Sequence, residues 1–193
     1  AIFNSMIASS GDERLRLEAQ CKAYISPGAI DVNIMTKLDR TNYDKNNQPL
    51  ADEYSDAVSA LRGFANSKIN AGIVFSAGFN RRLFAHCENV ADFYNQDGEF
   101  KKRLILKVSD YRSSLIQGRF LAKKGIWVSE YRIESGLNCG GHAFATDGLL
   151  CGPIMEEFKV NKQTLDDECR TICNNVLAKK GKATIPHTVS SKI

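Results

Sequence analysis

Apolar positions fall into short runs separated by polar stretches, and the period changes from run to run. Near-continuous apolar or β-branched runs predict strands at "IDVNIMTKL" (30–38), "AGIVFSAGFN" (71–80), "KRLILKVSD" (102–110) and "IWVSEYRIESG" (126–136). "HTVSSKI" (187–193) reads as the opening of a fifth. Helical spacing predicts a helix over 11–24, with Ser10 or Gly11 as start signal and "SPG" as stop. A second covers 54–67, where Tyr54, Val58, Leu61 and Phe64 share one face. Further helices are expected at 81–96, at 111–125 with Gly125 as its stop, and at 152–158 and 164–181. The polar stretch 39–53 reads as a loop.

The pattern is a repeated strand–helix unit. Strands this apolar are buried on both faces, which predicts a parallel sheet in an α/β protein. A doubly wound sheet and a (β/α) TIM-type barrel both satisfy it. Residues 1–193 read as a single α/β domain. The chain starts on Ala and stops at "IPHTVSSKI", so it is expected to be a piece of a larger barrel protein whose remainder completes the sheet. In either fold, functional residues gather where strands end and the next loops begin. Here the strand ends read "NIMTK", "FSAGFN", "LKVSD" and "RIESGLNCGGH". Four polar or glycine-bearing ends in succession predict a lined pocket.

Composition narrows the picture. The chain is 43% hydrophobic and 25% charged with a formal net charge of +4, the profile of a globular protein. Its basic residues are scattered, whereas a nucleic-acid track concentrates them on one face. No apolar run approaches a membrane span, and the N-terminus lacks a basic signal-peptide region. The expectation is a cytoplasmic protein with reduced thiols and a small-molecule substrate, engaging neither nucleic acid nor membrane.

The richest stretch is "ESGLNCGGHAFATDG" (134–148). Its Cys139-x-x-His142 has half-zinc-site spacing, and Cys169 and Cys173 share one helix face. They also lie beside Ile172 and Val176, which reads as buried thiols. A Cys–His nucleophile pair is another reading. A third is an anion-binding loop, because Gly140 and Gly141 permit positive φ and close backbone approach. A plain glycine turn is the remaining one. His86 and His187 carry no motif and read as structural.

Ser135-Gly136-Leu137-Asn138-Cys139-Gly140-Gly141-His142 resembles the strand-end pattern Glu-Gly-x-Glu-Ala-Gly-Gly-His of flavin barrel enzymes of the nitronate monooxygenase (2-nitropropane dioxygenase) type. Flavin-dependent enoyl-ACP reductases and the flavin barrel of glutamate synthase are related. Val32-Asn33-Ile34 is similar to that family's Val-Asn-Leu, and Ser76-Ala77-Gly78-Phe79-Asn80 to its Ser-x-Gly-x-Pro. The departures are Asn138-Cys139 for Glu-Ala, Phe144 for a glycine and Asn80 for the proline. The resemblance implies a (β/α) barrel and an FMN-binding oxidoreductase. Asn33, Ser76, Gly78, Lys107, Glu134, Ser135, Gly136, Gly140 and Gly141 would then surround the cofactor, and His142 would be the catalytic acid/base, with no metal. The competing class is a barrel-derived binding or scaffolding domain without turnover.

Overall fold

The computed structural model describes residues 1–25, 28–35, 39–76, 78–94, 100–134 and 151–193. Its centre is a four-stranded parallel sheet in the order β1-β2-β3-β4, formed by β1 (Asp31–Met35), β2 (Ala71–Ser76), β3 (Lys102–Val108) and β4 (Val128–Ile133). Sequence neighbours are spatial neighbours throughout: Asp31 aligns with Gly72, Ala71 with Lys102, and Leu104 with Val128. A bulge between Leu104 and Ile105 shifts the β3–β4 register by one residue. Lys192 bridges Glu130 in parallel, so the C-terminal segment lies along the outer edge of β4.

Helices fill the crossovers. They are α3 (Asp56–Asn66), α4 (Arg81–His86), α5 (Tyr111–Ala122) and α6 (Cys151–Lys179), preceded by the hairpin of α1 (Ile2–Ala8) and α2 (Gly11–Ala23). α3 packs on α4, α4 on α5 and α5 on α6, as expected when successive crossovers share one hand. Alternate strand positions feed the helix-side core: Ala71, Ile73 and Phe75 of β2, Leu104, Leu106 and Val108 of β3, and Tyr131 of β4. Phe84, Phe93, Trp127, Phe158 and Leu177 complete it.

Local chemistry explains the element ends. Asn80 Oδ1 accepts from Leu83 N at 3.0 Å and caps α4, and Asp110 does the same for Ser113 N at 2.6 Å on α5. The turn that follows α5 closes at Gly125, whose φ of 79° suits the left-handed conformation that glycine adopts without strain. Lys102 is fully buried, yet its Nζ donates to the carbonyls of Ala65 and Ser67, both at 2.7 Å, where α3 ends. Asp92 Oδ2 lies 3.1 Å from the same ammonium.

Four elements differ from the sequence expectation. The strand expected to open over 187–193 is reduced to the single bridge at Lys192. α6 is one continuous helix where two were expected: the polar stretch between them is held by pairs such as Lys159–Glu156 and Lys162–Asp166. The helix expected over 81–96 stops at His86 and gives way to 3₁₀ turns at Cys87–Asn89 and Ala91–Phe93, because Val90 is extended between them. α1 buries no residue, so no apolar stripe announces it.

Candidate functional site

The strands' other alternating positions build a face turned away from the helices. On β1 these are Asp31 and Asn33; on β2, Gly72, Val74 and Ser76; on β3, Arg103, Ile105 and Lys107; on β4, Glu130 and Arg132, with Glu134 following. The helix-side cluster includes neither Val74 nor Ile105, yet they are only 3% and 2% exposed. Long charged side chains arch over them.

An ion chain crosses the middle of this face. Arg132 Nε pairs with Glu130, and its Nη2 lies 2.6 Å from Asp31 Oδ2. Those two hydrogen-bonded partners hold the Arg132 guanidinium above its ordinary pKa. The Asp31–Arg132 contact joins β1 to β4, which lie three strand spacings apart in the sheet. Gly72 lies beneath the chain: a Cβ there would collide with Asp31 Oδ1 and come within 2.7 Å of Ile105 Cδ1. Asp31 Oδ1 is buried without a hydrogen-bond donor.

Above the ion chain, toward the C-terminal strand ends, is an open cleft of about 460 Å³. Asp31, Asn33, Val74, Lys107, Arg132 and Glu134 line it, together with Cys151 from the start of α6. Ser76 Oγ donates to Asn33 Oδ1 at 2.7 Å, which leaves the Asn33 Nδ2 to donate outward. Lys107 Nζ pairs with Glu134 Oε2 at 2.8 Å. Comparison with family models, with curated proteins and with solved structures finds no match. The chemistry of this cleft is therefore read from its own residues.

Of the residues singled out in the sequence, Asn33, Lys107 and Glu134 line this cleft, and Ser76 holds Asn33 from beneath. Gly78 follows β2 with φ 115°, a backbone conformation that side chains disfavour. Ser135, Gly136, Cys139, Gly140, Gly141 and His142 lie outside the described residues, and with them the Cys139–His142 metal reading. Among the described residues no cluster of His, Cys, Asp or Glu is arranged to hold a metal ion. Cys169 and Cys173 are buried in the core, and burial pushes their thiols up to about 11 and about 12. His86 Nδ1 lies 2.9 Å from the Arg82 carbonyl within α4. No described helix is long and apolar enough to cross a membrane.

Sequence reasoning missed Asp31 and Arg132. Both were signalled by the two-residue period: Asp31 with Asn33, and Glu130 with Arg132 and Glu134, each set sharing a face. Asn80, the departure from the family's proline, has a structural task here. Besides capping α4, its Nδ2 donates to Asp39 Oδ2 at 2.8 Å, and Asp39 Oδ1 accepts from Ala57 N at 3.0 Å. Burial alone would raise the Asp39 carboxyl, but these hydrogen bonds hold it below its ordinary value.

Proposed function

We propose that the chain is part of a (β/α) barrel that binds FMN over its C-terminal strand ends and acts as a nitronate monooxygenase-like oxidoreductase on a small molecule. The observation that carries the reading is the convergence of polar side chains from consecutive parallel strands on one cleft, on the face away from the helices. The unreversed strand order, continued by Lys192 beside β4, supports a barrel over a doubly wound sheet, which reverses order at its switch point. The Asp31–Arg132 contact, which joins the first strand to the fourth across this face, is consistent with closure in the same direction.

The donor set suits the rim of a flavin ring, which alternates donors and acceptors. Asn33 Nδ2 and Lys107 supply donors. The flavin contributes the redox chemistry; the protein contributes binding, orientation and charge. Lys107 places positive charge in the cleft, and Glu134 fixes its position. Ser76 locks the Asn33 amide in one orientation. His142 is assigned the acid/base role, since an imidazole titrates near neutral pH.

The test is the absorbance spectrum of the purified protein, before and after a reductant, with titration of free FMN. A flavin spectrum that bleaches on reduction is expected. Lys107→Met should weaken FMN binding at least tenfold, and His142→Asn should slow turnover about 10²- to 10⁴-fold while leaving the flavin bound. A colourless protein that takes up no FMN overturns the reading and leaves the non-catalytic binding domain.

A further inference from the structure

Below the ion chain, at the N-terminal strand ends of the same face, lies a second cleft of about 370 Å³. We infer that it is a binding site for a small organic oxyanion, a carboxylate or phosphate monoester, seated on Arg103, Trp127 and Ser129. The inference is independent of the flavin reading.

Three polar atoms of the lining residues are buried without a hydrogen-bond partner: Arg103 Nε, Trp127 Nε1 and Ser129 Oγ. The first two can only donate, and the hydroxyl can. Trp127 is only 3% exposed, so its indole N–H sits against the cleft wall and not in bulk solvent. Buried donors are normally paired, and a set of them gathered on one cleft is completed by an acceptor. The charge agrees. Among the described residues, Arg103 and Lys192 are the cations on the lining, and Glu130, the one carboxylate, is already paired with Arg132. An arginine fork matches the planar geometry of carboxylate or phosphate oxygens.

The remaining walls specify the body of the ligand. Phe100, Ile105, Val189 and the Trp127 ring are apolar, and the cleft is larger than a bare inorganic anion needs. Its frame is held from behind. Arg170 of α6 lies 5.1 Å over the Trp127 ring, and its Nη1 donates to the carbonyls of Pro186 at 2.8 Å and Val189 at 2.7 Å. Asp166 accepts from Ser191 N at 3.1 Å and Ser191 Oγ at 2.6 Å. This places the 186–192 segment, with Val189 and Lys192, along the cleft.

Trp127 is the only tryptophan in the sequence, so its fluorescence reads this cleft directly. The experiment titrates the protein with phenyl phosphate, benzoate and inorganic phosphate at constant ionic strength. A saturable change is expected with phenyl phosphate or benzoate, and the tighter of the two identifies the headgroup. Inorganic phosphate should bind at least tenfold more weakly than the better aromatic acid. Arg103→Met, which keeps the apolar stem, should weaken binding at least tenfold. Lys159→Met, an equal loss of charge on the exposed face of α6, should leave the midpoint within twofold. Should Arg103→Met fail to fold by circular dichroism, Ser129→Ala takes its place with an expected weakening of at least threefold. The assignment is overturned if neither aromatic acid gives a saturable response, or if the folded variant binds as the parent does.

Discussion

Lys102 shows how one residue decides a local structure. Its ammonium is buried with two carbonyl acceptors and Asp92, and Phe64 lies 5.3 Å away. Removing the charge leaves the end of α3 without its donor and Asp92 with Lys101 as its remaining partner. Breaking a buried pair typically costs about 3–5 kcal/mol. Lys102→Met is therefore expected to destabilise by about 3 kcal/mol in urea denaturation, although methionine fills most of the same volume. A loss under 1 kcal/mol would mean that water replaces the ammonium. Asp92→Asn, which keeps an acceptor, should cost less.

At the scale of elements, α5, α6 and β4 enclose the thiols. Gly118 of α5 permits the approach: a Cβ there would lie 3.2 Å from Cys169 Sγ and press on the Tyr131 hydroxyl. Cys87, Cys169 and Cys173 are buried, whereas Cys151 is exposed and Cys21 half-buried. Alkylation of the native protein followed by peptide mass mapping should label Cys151 well before Cys87, Cys169 and Cys173, which stay unmodified until unfolding. Labelling of Cys169 at the rate of Cys151 would contradict this packing. Burial raises Cys169 to about 11 and Cys173 to about 12 from an ordinary 9.0, so the fold favours the neutral thiols. Groups raised on folding stabilise fully below their unfolded pKa and lose that contribution as pH rises through the folded value. Stability should thus hold to about pH 9 and decline from there toward pH 12, in a thermal melt series.

On the scale of the whole molecule, the Asp31–Arg132 pair joins the first strand to the fourth. Its 2.6 Å contact is half-covered, with Arg132 side-chain exposure at 40%. A double-mutant cycle with Asp31→Asn and Arg132→Met should give a coupling of about 1 kcal/mol, reduced but not abolished by 0.5 M salt. Additive single effects would mean that the two strands are held by backbone pairing alone. The two clefts lie on either side of this chain, so Arg132→Met should perturb ligand binding at both.

The sequence by itself determined the α/β class, the four strands and the glycine stop after α5, and it offered burial as one reading of Cys169 and Cys173. These follow from periodicity and from backbone rules that act within a few residues. It also marked Asn33, Ser76, Lys107 and Glu134, because polar residues at the ends of apolar strands stand out locally. Only the tertiary structure decided that Asn33, Lys107 and Glu134 share one cleft, with Ser76 behind Asn33. It alone joined Asp31 to Arg132, 101 positions apart in the chain. The reason is register: which residue faces which across a parallel sheet depends on crossover lengths and on the bulge at Leu104/Ile105, and no short stretch encodes it. The same holds for the unpaired donors of Arg103, Trp127 and Ser129, which are ordinary strand residues until the sheet and the 186–192 segment enclose them.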